Sequence, residues 1–325
     1  MCHHASRRDF LKTCAGTLAA GAASGLSALA APAKSRVVIA RDAALRASGS
    51  SPDSTRLLKL LDRGLQALYD RDNALEAWRR VVRPGEVVGL KVNCLGGRGL
   101  STTVTLVEVI CERLQQAGIR DIVVWDRHDR DLEVGGFHPR QRRGAVRYVS
   151  NDEAGFEDDL AVYGSVGSCL SRTLTQTCDA VINLPVLKDH GITGFTGALK
   201  NFYGAVHNPN KYHPNRGDPY IADLHMLPQI RARMRLTIND GITAQYEGGP
   251  GYKPEWAWHH NGLLLGRDPV ALDYVGWQII DARRAQQGLK SLAADGREPR
   301  YIATAADARH RLGTNDPKLI ERIEV

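Results

Sequence analysis

From residue 34 onward, short apolar runs alternate with segments whose apolar residues recur at helical spacing. Residues 36–40 (RVVIA) predict a strand, and 54–70, with Leu57, Leu58, Leu61, Leu65 and Leu68 on one face, predict an amphipathic helix. Residues 87–92 (VVGLKV) read as a second strand, 104–117 as a helix closed by Gly118, and 121–125 (DIVVW) as a third strand. Further strands are expected at 146–149, 180–187, 235–238 and 262–265, and helices at 171–177, 219–234 with a break before Pro228, 268–284 and 303–312. Strands alternating with helices of this length predict an α/β fold: a mostly parallel sheet with helices on both faces, in Rossmann-like layers. The run at 180–187 is apolar on both of its faces, as a strand covered on both sides requires.

Two segments break the pattern. Residues 201–220 and 244–260 are rich in Gly, Pro, Tyr, Trp and His and show little periodicity. Long loops of this kind inside a compact domain serve as lids or binding loops, or as subunit contacts.

In an open parallel sheet, ligands bind outside the carboxyl ends of the strands. Five predicted strands end in polar or ionisable groups: Lys91 and Asn93, Asp126 and His128, Lys188 and His190, Asn239 and Asp240, Arg267 and Asp268. Lys188 and His190 are two apart, so in an extended chain they face one side. Gly191, Gly194 and Gly197 allow the backbone that follows to approach a ligand, and Lys200 opens a short helix at ALKNFYG. A lysine partly removed from water or held near another cation loses basicity and can accept a proton, whereas a protonated one clamps an anion. The glycines and hydroxyls of CLGGRGLST (94–102) read either as a backbone anion cradle at a helix start or as an ordinary turn with a Ser/Thr cap. Asp268 before Pro269 has the form of a helix cap as well as of a site residue.

Composition narrows the function classes. The chain has 325 residues, 43% of them hydrophobic, which is enough for one large α/β domain or two lobes across 34–325. The net charge is +7; Arg7, Arg8, Lys12 and Asp9 account for two of these, leaving about +5 after residue 33. No polybasic run with interleaved aromatics is present, so a small anionic ligand fits the charge better than nucleic acid does.

Residues 6–12 (SRRDFLK), the Ala/Gly-rich stretch after them and the small residues at 28–33 match a twin-arginine export signal spanning 1–33. This predicts handling by the twin-arginine export machinery and a periplasmic or otherwise exported location. Beyond it, no apolar run approaches the roughly 20 residues that span a bilayer, so stable membrane insertion is not expected. Cys94, Cys111, Cys169 and Cys178 form no C-x-x-C, which excludes a ferredoxin-type iron-sulfur motif and leaves disulfides or buried thiols open. Neither a Walker loop nor a G-x-G-x-x-G nucleotide-binding fingerprint is present, so the cofactor stays unidentified. His207, His213, Asp240 and Glu247 could supply nitrogen and oxygen ligands to a metal, without a short motif that ties them together.

GLKVN at 89–93, NLPVLKDHGITGFTGALKNFYG at 183–204, NDGI at 239–242, EGGPG at 247–251 and LLGRDPVALDYVGWQII at 264–280 resemble the family catalogued as domain of unknown function 362. The resemblance covers roughly 36–285. Some relatives carry an added iron-sulfur segment that this chain lacks. The motif positions it implies are Lys91, Asn93, Lys188, His190, Thr196, Lys200, Asn201, Asp240, Gly241, Asp268, Pro269 and Asp273.

The resulting expectation is an exported enzyme, with redox chemistry as the first reaction class, acting on or with an anionic small molecule. Lys188, His190 and Lys200 are its catalytic candidates, and Lys91, Asn93, Thr196, Asn201, Asp240 and Asp268 its ligand-binding ones. The alternatives are a non-catalytic binder of an anion, an accessory to a redox partner, and a metal-dependent hydrolase.

Overall fold

The computed structural model describes residues 34–46 and 51–325; the export signal read at 1–33 lies outside the described residues. The first half runs β1 (Ser35–Arg41), α1 (Ser54–Tyr69), α2 (Ala74–Trp78), β2 (Val87–Lys91), α3 (Val104–Gln116), β3 (Asp121–Asp126), α4 (Asp129–Gly135), β4 (Arg142–Arg143), β5 (Val146–Ser150) and α5 (Asn151–Ala154). A small hairpin, β6 (Ala161–Tyr163) and β7 (Val166–Ser168), precedes β8 (Ala180–Asn183), β9 (Val186–His190) and β10 (Gly194–Thr196). The chain closes with α6 (Tyr220–His225), α7 (Pro228–Arg231), β11 (Met234–Gln245), β12 (Ala257–Trp258), β13 (Gly262–Gly266), α8 (Pro269–Gln286), α9 (Tyr301–Ala306) and β14 (Ile320–Glu324).

All strands except β6 and β7 join one mixed sheet whose spine runs β14-β1-β13-β11-β8-β2-β3-β5-β4. The pairs β11/β8, β8/β2, β2/β3, β3/β5 and β1/β14 are parallel, while β13 is antiparallel to both of its neighbours. The pleat sends alternate residues to opposite faces. Val38, Val88, Leu90, Ile122, Val124 and Ile182 pack with the leucines of α1 and the Leu106, Val107, Ile110 and Leu114 stripe of α3. Val37, Ile39, Val123, Trp125 and Val181 face the other layer, which holds Phe195, Phe202 and the Val270, Ala271, Val275 and Ile280 side of α8. Both faces are thus covered, as a largely parallel sheet requires.

Three local expectations change. The single strand read at 180–187 is two, because Leu184 and Pro185 leave the line between β2 and β11. Leu184 N–H donates to Lys91 O at 2.8 Å, and the chain resumes as β9 beside β11. The helix read at 171–177 is a π-helical turn at Thr173–Thr177, whereas the one at 219–234 breaks before Pro228 as expected, into the short helices α6 and α7. The third change concerns direction. Because β13 runs against its neighbours, its carboxyl end lies at the edge opposite that of β2, β3, β8 and β11, so the five strand ends do not converge on one rim.

Among the described residues the four cysteines are free thiols; burial pushes Cys111 and Cys178 up to about 12. Among the same residues, no helix is long and apolar enough to cross a membrane.

Candidate functional site

At the carboxyl edge of β2, β3 and β9 the sheet opens into a cavity of about 520 Å³, lined by Lys91, Asn93, Lys188, His190, Thr196, Lys200 and Asn201. The loops after β10 and β11 roof it with Tyr203, Gly204, Pro209, Asn210, His213, Gly249 and Pro250, and Asp126, Arg127 and Asp131 close the side below β3. The two aperiodic segments of the sequence therefore supply much of the cavity wall.

Strand geometry sets who faces inward. In the β9–β10 hairpin Lys188 pairs with Thr196 and His190 with Gly194, so Lys188, His190 and Thr196 share one face. Asp189 points the other way, accepting from Gly249 N–H at 2.8 Å and from Arg297 at 2.9 Å. Glu247 accepts from Arg284 and, at 2.5 Å, from Arg297, which holds the Gly249–Pro250 loop against the hairpin. Burial pushes Asp189 up to about 6 despite these donors.

Lys91, Lys188 and Lys200 are 1%, 0% and 7% exposed. Lys91 is neutralised: its Nζ donates to Asp126 Oδ1 at 2.6 Å and to Val92 O at 2.7 Å, 5.3 Å from the Trp125 ring centroid. The other two have no carboxylate within ion-pair distance among the described residues. Lys188 Nζ donates to Asn93 Oδ1 at 3.0 Å, and Asn93 passes the bond on to Asn201 Oδ1, whose amide is fixed by Asn183 and Lys91 O. Lys200 Nζ lies 3.2 Å from His213 Nε2 and 4.4 Å from the Tyr203 ring centroid. His213 Nδ1 can only donate to Asn210 O, 3.4 Å away, so Nε2 carries the lone pair and Lys200 is the donor. Burial lowers Lys188 to about 8, against the pull of Asp126, and burial with the nearby Lys188 charge lowers Lys200 to about 7.

His190 is held in one state. Its Nδ1 accepts from Ile192 N–H at 3.1 Å and Thr193 N–H at 3.2 Å, which leaves the proton on Nε2. Burial and the surrounding Lys200, His213 and Lys188 hold it far below the ordinary histidine range. The His190 and His213 rings stack at 5.6 Å between centroids.

Several expected residues lie elsewhere. Asp240 Oδ2 accepts from Thr103 N–H at 2.7 Å and Oδ1 from Ile242 N–H at 2.9 Å. The anion at the start of α3 is therefore the protein's own carboxylate, so CLGGRGLST is a capped turn rather than an open cradle, and Asp240 is absent from the cavity wall. Asp268 caps α8 through Val270 and Ala271 N–H, both at 2.9 Å, and accepts from Ser35 Oγ; it sits at the far edge because β13 is antiparallel. His207 meets Phe156 edge-on, and Glu247 belongs to the arginine network. Of the four metal candidates only His213 lines the cavity, and among the described residues no three His, Cys, Asp or Glu side chains come together as a metal cluster.

The family model described as domain of unknown function, DUF362, matches residues 88–278, a span that holds every cavity residue described above. The chain belongs to the DUF362 family. It is 28% identical over 247 residues to a thylakoid-associated protein of Synechocystis sp., covering 72% of this chain and 70% of that one. Among solved structures, a protein of Thermotoga maritima matches 73% of this chain at 14% identity, with a TM-score of 0.46, and the lactate racemase apoprotein of Thermoanaerobacterium thermosaccharolyticum matches 73% at 11% identity, with a TM-score of 0.40. The match spans 60% and 55% of the length of those two structures.

Two residues not among the catalytic and ligand-binding candidates, the motif position Asp273 and Gly204, support the site from behind. Asp273, on α8, accepts from Ala198 N–H at 2.5 Å and Leu199 N–H at 3.0 Å, and so holds the turn that presents Lys200 and Asn201. Gly204 lies against the Lys91 ion pair: a Cβ there would sit 2.7 Å from Lys91 Nζ and 3.2 Å from Asp126 Oδ1. Gly204→Ala is expected to displace this pair and lower stability by about 1–3 kcal/mol. Thermal denaturation of that variant checks it, and an unchanged midpoint refutes the tight packing.

Proposed function

We propose that this cavity binds a small organic anion, and that Lys200, supported by His213 and by the fixed N–H of His190, exchanges a proton with it. One observation carries the reading: Lys188 and Lys200 are both buried and both line one open cavity, and among the described residues neither has a carboxylate within ion-pair distance. A buried cation without a counter-ion is expensive, so it either sheds its proton or awaits an anion. An amine that titrates near neutrality suits both tasks, and the neutral His190 acts as a hydrogen-bond donor rather than as the base. The twin-arginine motif at 6–12 supports a periplasmic location for this chemistry, which N-terminal sequencing of protein recovered from the periplasm tests.

Binding is then linked to protonation. An anion favours the charged amines and raises their pKa, so at pH 8.5, above the values of about 8 and 7, each binding event is expected to take up between about 0.5 and 1.5 protons. At pH 6 both amines are already charged and uptake falls towards zero. Titration calorimetry with acetate, hexanoate and inorganic phosphate, in buffers of differing ionisation enthalpy, measures this directly. Absence of binding by all three sinks the proposal, as does binding without any proton uptake at pH 8.5.

A further inference from the structure

The polarity of the cavity is graded from floor to mouth. Its floor is the amide and ammonium array of Asn93, Asn201, Lys188, Lys200 and Lys91, all less than a tenth exposed. Its mouth carries two bare apolar side chains, Leu95 and Ile192, 51% and 50% exposed, beside the exposed Asn210 and the partly exposed Arg127 and Asp131. Two more bare apolar side chains flank the Leu95–Gly99 loop. The Tyr252 ring packs against Gly99, while Tyr252 N–H donates to Gly96 O at 3.0 Å; Val134 Cγ1 lies 3.7 Å from where a Cβ on Gly97 would stand. Tyr252 and Val134 are 38% and 43% exposed. Among the described residues the other large hydrophobics of comparable exposure are Leu160 and Val162, on and beside the β6–β7 hairpin. Exposed apolar groups gathered around one opening mark a binding surface, whereas scattered ones need no explanation.

Size separates the classes of anion. A water molecule's share of liquid volume is about 30 Å³, so a phosphate or sulfate would leave most of the 520 Å³ unfilled, whereas pockets of this volume commonly enclose whole organic ligands.

We propose that the ligand is an amphipathic carboxylate, whose head meets Lys188 and Lys200 at the floor and whose apolar body leaves along Leu95 and Ile192. This rests on the anion reading above and narrows it to a chemical class. The continuity of Leu95 and Ile192 with the lysine-lined wall favours one molecule spanning both over a separate partner seated on the rim.

The test is a chain-length series on the full chain. Acetate, butanoate, hexanoate and octanoate are titrated by calorimetry below their micellar concentrations, with inorganic phosphate alongside. Each methylene transferred from water to the apolar side chains of the mouth is expected to tighten Kd about four-fold until they are covered, and Leu95→Ser should flatten that slope while leaving acetate affinity unchanged. Acetate binding by the variant also reports that its floor is intact, so a misfolded protein is not mistaken for a lost rim. Two outcomes overturn the amphipathic class while leaving the anion reading standing: equal affinity for acetate and octanoate, or a preference for phosphate over every carboxylate. Failure of all five probes removes both.

Discussion

Replacing Lys200 by methionine is expected to stabilise the ligand-free protein at pH 6, and to lose that advantage as the pH rises. The sign follows from the lowered titration of this amine, about 7 in the folded chain against the ordinary 10.5. Below pH 7 the folded and unfolded states both hold the proton, so the native state carries the full cost of a buried charge without a counter-ion. Between about 7 and 10.5 the folded amine has already released its proton while the unfolded one keeps it, and stability rises with pH across that window. Above it neither state is charged, and the wild type retains only its bond to His213, worth about 1 kcal/mol. The gap corresponds to a free-energy difference on the order of 4–5 kcal/mol, from which the loss of that bond subtracts. Denaturant unfolding of Lys200→Met and wild type at pH 6, 8 and 9.5 measures the difference. A difference that stays constant with pH would falsify the unpaired-cation account, because it would mean that Lys200 titrates alike in both states.

The second large effect is expected from a residue outside the cavity. Asp273→Ala leaves the N–H groups of Ala198 and Leu199 buried without acceptors, at about 1–3 kcal/mol each, besides the small void it opens. Its further consequence is functional: the turn it releases carries Lys200 and Asn201, so the Asn93–Asn201–Asn183 amide chain and the Lys200–His213 contact should loosen together. We expect a stability loss of about 3–5 kcal/mol together with weaker anion binding. Asp273→Asn separates the two consequences, since its amide oxygen can still accept one N–H but its NH₂ must face the other. It should fold better than the alanine variant and recover only part of the affinity. Full anion affinity in a destabilised Asp273→Ala protein would show that Asp273 supports the fold without positioning the site.

Much of the molecule is legible in the residue pattern, for a physical reason. Helical and strand periodicities are local, so α1, α3, α8, β2, β3 and β13 lie within a residue or two of the segments their apolar spacing indicates. The two-residue spacing of Lys188 and His190 and the rule that ligands gather at strand carboxyl ends point to Lys91, Asn93, Lys188 and His190, the glycine-rich stretch after them adds Lys200, and the family resemblance adds Thr196 and Asn201; the cavity collects all seven.

Direction and partnership are different in kind, because they depend on residues far apart in the chain. Whether β13 runs with or against β11 is set by ladder hydrogen bonds and by how α8 packs back on the sheet, and that choice sends Asp268 to the opposite edge as a helix cap. Asp240 is spent on Thr103, 137 positions away, a partner that no local pattern reveals. Asp126 becomes the counter-ion of Lys91 across 35 positions, and Asp273 the anchor of the Lys200 turn across 75. The sequence by itself determined the α/β layers, which follow from short-range periodicity, and the strand-end candidates Lys91, Asn93, Lys188 and His190, while its resemblance to the family added Thr196 and Asn201. Only the tertiary structure decided which of the three buried lysines is neutralised and which two are left facing an open cavity, because charge pairing is settled by distances in space.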